Sequence, residues 1–261
     1  MKIRAPQVAG YFYPSGKHEL KKLIEKFLVS AKKIGSNEVH SILCPHAGYE
    51  YCGEVAGWSY KQIENLQFKR VFILANNHSY VNYSGASVPK FDFYETPLGR
   101  VKISSLTNEL LKNELFLSLE EVHLTHVVEV QLPFLQVLLE EFEIVPIVLS
   151  MLTDEEQKEI AKIIEEYLDE KTLIVISSDL SHYYPYEKAV KLDRECLRAI
   201  EEQNIELVKM QQACSLDAIL VVLRISKSLG WKCKVLQYKN SGDTSGSRTE
   251  VVGYGSAVFY S

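Results

Sequence analysis

The chain has 261 residues, 46% hydrophobic and 24% charged, with a net charge of -5 and a pI near 5.9. That supplies apolar material for a substantial core. No Lys/Arg block marks a nucleic-acid-binding face, and no apolar run approaches the roughly 18 residues that cross a bilayer. The opening stretch, Met1 to Gly16, lacks the continuous apolar segment of a signal peptide. The expectation is a cytoplasmic α/β protein forming a single domain over residues 1–261, with neither nucleic acid nor membrane as partner.

Leu20, Leu23, Ile24, Phe27 and Leu28 recur at helical spacing and predict the first helix. A strand over Ser41–Cys44 runs into Pro45-His46-Ala47-Gly48-Tyr49, and one over Val71–Ala75 runs into Asn76-Asn77-His78-Ser79. After a strand over Ile144–Leu149, Thr153-Asp154-Glu155-Glu156 reads as a capping box. It opens a helix with Ile160, Ile163, Ile164 and Leu168 on one face. Leu173–Ser177 is a further strand, running into Ser178-Asp179-Leu180-Ser181-His182. Helices over Tyr186–Ile200 and from Ser215 to Leu229, then strands over Lys234–Tyr238 and Val251–Phe259, complete the series. Short, continuously apolar strands alternating with amphipathic helices predict a three-layer αβα sandwich around a mostly parallel or mixed sheet. No repeat or Gly/Ser-rich linker divides it.

The chemistry gathers at strand ends. Three apolar strands each deliver a histidine, His46, His78 and His182, to the loop that follows. Open α/β sheets bind ligands beyond the carboxyl ends of their strands, and neutral imidazole suits zinc, copper, iron and nickel. Asp179 and His182, at i, i+3, are read as a carboxylate that orients an imidazole, as an N-cap, or as both. His126 and Glu129 share that spacing and fit metal ligands, substrate contacts or a surface pair. The five cysteines lie at 44, 52, 196, 214 and 233 without CxxC spacing, so reduced thiols are expected rather than a disulfide framework. Cys44 and Cys196 read as core. Cys214 stands before the apolar helix Leu216–Ile225, where a helix N-terminus favours thiolate. The polar loop from Tyr238 to Gly246 fits a pocket lining or an anion site and matches no phosphate-loop pattern.

These motifs resemble the Memo family (mediator of cell motility), and within it the AmmeMemoRadiSam system protein B group. The matching stretches are Arg4 to Pro14, Pro45 to Gly53, Phe72 to His78, His126 to Phe134, Ser177 to His182 and Val251 to Tyr254, in order along nearly the whole chain. The resemblance implies an extradiol-dioxygenase-like fold and a redox metal, iron or copper with zinc as a third choice, held by His46, His78 and Cys214. It places Asp179 and His182 in the same cleft, with His182 as acid/base and Asp179 orienting it. It further implies either a metal-dependent oxidoreductase acting on a small-molecule substrate or a non-enzymatic metal-binding or peptide-interaction protein. A third implication is a subunit working beside AMMECR1-like and radical SAM partner proteins.

Overall fold

The computed structural model describes residues 1–35, 38–244 and 246–261; Ser245, in the polar loop singled out above, lies outside them. The strands are β1 (Ile3–Arg4), β2 (Val39–Cys44), β3 (Arg70–Asn76), β4 (Gly85–Ser87), β5 (Phe93–Thr96) and β6 (Gly99–Ile103). They continue with β7 (Phe116–Leu117), β8 (Glu143–Ser150), β9 (Thr172–Ser177), β10 (His182–Tyr184), β11 (Lys232–Asn240) and β12 (Val251–Tyr260). The helices are α1 (Lys17–Ser30), α2 (Tyr49–Gln62), α3 (Leu106–Leu110), α4 (His126–Glu129) and α5 (Leu132–Leu138). After them come α6 (Asp154–Glu165), α7 (Tyr186–Glu201), α8 (Ile205–Val208), α9 (Leu216–Ser228) and α10 (Ser241–Thr244).

One mixed sheet runs in the order β1-β5-β6-β8-β3-β9-β2-β12-β10, with β11 on β12 and β4, carrying β7, on β8. From β6 to β2 the neighbours are parallel, whereas β12 is antiparallel to β2 and to β11. The parallel block is apolar on both faces because helices cover both. Phe72 and Leu74 pack toward α6, α7 and α9, while Val71, Ile73 and Ala75 pack toward α1, α2 and α5. The αβα sandwich is as expected, and the capping box at Thr153 and Glu156 is present in both directions.

The periodicity analysis did not predict α2. That helix is buried nearly all round, so it shows no polar stripe to reveal its period. Its glycines are packing devices. A Cβ at Gly53 would lie 2.3 Å from the Phe27 ring, and one at Gly57 would lie 2.8 Å from the Phe27 carbonyl oxygen. The close approach of α1 to α2 therefore requires residues that weaken helix propensity. The polar loop after Tyr238 satisfies much of its polarity internally, Asn240 N–H donating to Asp243 and Gly242 N–H to Asn240 Oδ1 (both 2.9 Å). The five cysteines are free thiols, and four of them are buried.

A fully buried ion pair joins the amino terminus to α4. Arg4 donates to Glu129, and both side chains are 0% exposed. Glu129 also accepts the N–H groups of Gln7 (2.8 Å) and Val8 (3.1 Å) and the Tyr13 hydroxyl. Arg4 spends its other donors on the carbonyls of His123 (3.0 Å), Thr125 (2.6 Å) and Ala5 (3.2 Å). Glu129 is thus neither a ligand nor part of a surface pair with His126, and instead anchors the segment that holds Phe12 and Tyr13. Next to this pair, His123 contacts Ser87 Oγ and the Tyr94 hydroxyl, each at 3.2 Å. Burial, then the Arg4 charge, push its pKa down to about 3.

Two outcomes follow. Glu129→Ala strands the Arg4 charge and is expected to cost about 3–5 kcal/mol in urea denaturation, while an Arg4→Met/Glu129→Leu double variant recovers most of that loss. For His123, the unfolded chain protonates near pH 6.5 and the native chain only near pH 3. Its contribution is complete above about pH 6.5 and is lost as pH falls toward the folded value. A His123→Gln variant should therefore show a stability profile flatter by about 1.4 kcal/mol per pH unit in that window.

Candidate metal centre

Register brings the site together. β2 and β9 pair Cys44 with Ser177, and β3 and β9 pair Leu74 with Ile176, so three parallel strands end nearly in step. His46, His78 and Asp179 each stand two residues beyond the last residue of β2, β3 and β9 respectively. Cys214 arrives from the start of α9, which is pinned to the end of β3. There Asn76 N–H donates to Ser215 Oγ (3.0 Å), Asn76 Nδ2 to Asp217 (2.9 Å), and Ala218 N–H to Asn76 Oδ1 (3.2 Å).

One ligand atom from each of His46, His78 and Cys214 lies within 4.8 Å of the others. In a tetrahedral site, metal bonds of about 2.0–2.3 Å put two ligands of one ion roughly 3.3–3.6 Å apart. The widest pair must therefore close by up to about an ångström for all three to reach a common ion.

The proton positions follow from the partners. Ser177 Oγ lies 2.6 Å from the Val127 carbonyl, so its single hydrogen is committed there and it can only accept from His46 Nδ1 at 3.0 Å. Gln131 Nε2 donates to the same oxygen at 2.8 Å. His78 Nδ1 lies 2.9 Å from the Asn76 carbonyl, and His182 Nδ1 lies 2.9 Å from the Leu180 carbonyl. Carbonyls only accept, so these Nδ1 atoms carry hydrogen as well. Hydrogen on Nδ1 leaves the Nε2 lone pairs of His46 and His78 on the ligand side, the arrangement typical of metal-binding histidines, and that of His46 meets Cys214 Sγ at 3.1 Å. Burial is the largest cause holding His46 and His78 below the usual imidazole range, which keeps them neutral; neighbouring histidines add to it.

At Cys214 the expected thiolate is corrected. Cys214 stands before the helix as expected, one residue ahead of the N-cap Ser215. Burial and the nearby Asp179 carboxyl push the thiol up to about 12, against the lowering effect of Ser178, the Asp179 N–H and Ser215. The helix start does not produce a thiolate by itself. Sγ lies 3.1 Å from His46 Nε2 and accepts the Asp179 N–H at 3.0 Å. An ion entering between sulfur and imidazole must displace the thiol proton, so uptake releases a proton.

Asp179 also takes a different partner from the expected one. Its carboxyl accepts the His46 N–H at 2.8 Å, and burial raises its pKa to about 7. His182 is oriented by the Leu180 carbonyl instead. The i, i+3 spacing shares a face only on a helix. Here it runs from a loop into β10, where side chains alternate.

The structure adds His126 to the cleft. Its ring centroid lies 5.3 Å from that of His46 and 5.6 Å from that of His78, and those two rings are 4.9 Å apart, all nearly perpendicular. Phe12 packs on its outer side at 4.9 Å. Neither ring nitrogen has a hydrogen-bond partner among the described residues. Burial first, then His78, lowers its pKa to about 4. The sequence signal was a histidine three residues before a buried acid, and it becomes meaningful only once Arg4 is known to be that acid's partner.

Comparison with known proteins places the chain in a family. The family model described as Memo-like protein matches residues 4–258, from the Arg4 anchor into β12. The chain belongs to the Memo family. It is 39% identical to a MEMO1 family protein of Aquifex aeolicus over 99% of this chain and 100% of that one. It is 38% identical to one of Methanocaldococcus jannaschii (98% and 99% covered) and 33% identical to one of Pyrobaculum aerophilum (100% of both). The Memo match thus encloses every residue of the cluster.

Proposed function

We propose that this Memo-family chain holds a redox metal, iron or copper, on His46, His78 and Cys214, and works as a dioxygenase-like oxidoreductase on a small molecule. The observation that carries the proposal is the convergence of two Nε2 lone pairs and one thiol whose atoms lie within 4.8 Å of one another. Bound there, iron or copper supplies Lewis-acid and one-electron chemistry. A thiolate in place of the carboxylate of the two-histidine, one-carboxylate pattern softens the donor set and brings copper into competition with iron.

The surrounding residues have separate tasks. His126, with both ring nitrogens unengaged, is placed to hydrogen-bond or take a proton from a molecule in the cleft. His182, its Nδ1 held by Leu180, presents Nε2 as a second acceptor. Asp179 fixes the approach of both ligand loops, accepting from His46 N–H and donating its own N–H to Cys214. Non-enzymatic metal binding, or service beside AMMECR1-like and radical SAM proteins, is the competing proposal.

Anaerobically purified protein is expected to carry near-stoichiometric iron or copper, lost in His46→Ala and His78→Ala. A metal-free wild type would sink the proposal. Ser177→Ala frees the His46 ring without removing a ligand and should weaken metal affinity about 10–100-fold in a competition titration. Oxygen uptake with a panel of catechols separates the two readings, since bound metal without uptake favours the non-enzymatic one.

A further inference from the structure

Asp193 on α7 is a fully buried acid that forms no direct ion pair among the described residues. A buried carboxylate carries a desolvation cost of several kcal/mol unless its surroundings offset it, and burial raises its pKa. Its hydrogen bonds reach the segment that enters the cleft. Oδ1 accepts the Ser181 N–H at 2.9 Å, and Oδ2 accepts the Tyr238 hydroxyl at 2.8 Å. The Tyr238 oxygen in turn accepts from Asn240 Nδ2 at 3.3 Å.

Residues 179–184 need such a hold. β10 is a short edge strand, and its pairing with β12 shifts register between His182 and Tyr184. Tyr183 has φ of 62° in this strand, a left-handed conformation costly for a residue other than glycine. Main-chain bonds hold its first half, Cys214 N–H donating to Asp179 O (3.1 Å), Leu180 N–H to Gly253 O (2.8 Å) and Gly253 N–H to Ser181 O (2.9 Å). Asp193 takes the Ser181 N–H beside them. Gly253 leaves the space the carboxylate fills, because a Cβ there would lie 2.0 Å from Oδ2. The same segment carries the Asp179 groups that meet His46 and Cys214, and the Leu180 carbonyl that sets the His182 ring.

We infer that Asp193, seated against Gly253, is the positioning residue that shapes the 179–184 segment and fixes the His182 imidazole in a single tautomer facing the cleft. The importance of that orientation for turnover rests on the function proposed above, but the orientation itself needs neither metal nor substrate.

The test is nitrogen-15 NMR of the His182 side chain in the full-length, metal-free protein. In alkaline buffer, where imidazoles carry a single ring hydrogen, wild type is expected to show one tautomer with that hydrogen on Nδ1. Asp193→Ala and Gly253→Ala should each lose that pattern and give averaged tautomers. The double variant should be no worse than either single one, because both break the same contact. Asp193→Asn keeps an oxygen for the Ser181 N–H and should retain the wild-type pattern. A role confined to packing would lower thermal stability and leave the His182 signals alone, so an unchanged pattern in Asp193→Ala overturns the inference. If that variant does not fold, an unchanged pattern in Gly253→Ala overturns it equally. A wild type found to bind no metal would remove the proposed function and leave this result standing.

Discussion

Every candidate ligand histidine spends one nitrogen on the protein and turns the other toward the cleft, and the site depends on that division. A free imidazole exchanges between tautomers and rotates about two bonds. In this protein the Nδ1 hydrogen of His46 points at a serine oxygen whose own proton is committed elsewhere, and that of His78 points at a main-chain carbonyl. The choice of tautomer is made by acceptors with no alternative, before any ligand arrives. Burial then keeps the rings neutral. Preorganisation of this kind is what allows a small set of side chains to act as a metal-binding unit.

The acceptors are themselves products of the fold. Ser177 ends β9 alongside Cys44 of β2, so the residue that orders His46 is its neighbour across the sheet. Gln131 reaches the same serine and the Pro45 carbonyl, tying the α4–α5 region to the His46 loop. Behind it, the Arg4–Glu129 pair holds the amino-terminal segment against α4 and brings Phe12 onto His126. A buried ion pair is weak evidence for stability on its own, since desolvation offsets much of its attraction. Its use here is specificity of placement, because many donors from residues 4–13 converge on one carboxylate.

Much of this was legible in the chain. Continuous apolar runs identified the buried strands, because a parallel sheet covered on both faces has no polar side to alternate with. The histidines that follow β2, β3 and β9 in the chain marked the end of the sheet where ligands collect. The helix α2 was not legible, because burial on all sides removes the amphipathic signature. Nor was the contribution of His126, whose sequence neighbourhood fits a surface pair equally well. Cys214 shows a local rule overridden: the start of α9 favours thiolate, yet burial beside Asp179 moves the thiol the other way.

The sequence by itself determined the sandwich, the identity of the strand-end histidines and membership of the Memo family, since these depend on periodicity and on motifs contiguous in the chain. Tertiary structure alone decided that Glu129 faces Arg4, that Asp179 serves the His46 loop rather than His182, and that His126 joins the cleft. Those outcomes are contacts between residues far apart in the chain, 125 positions for Arg4 with Glu129 and 133 for His46 with Asp179. Local spacing carries no information about such pairs. They are settled by strand register and by the cost of leaving a buried polar group unpaired.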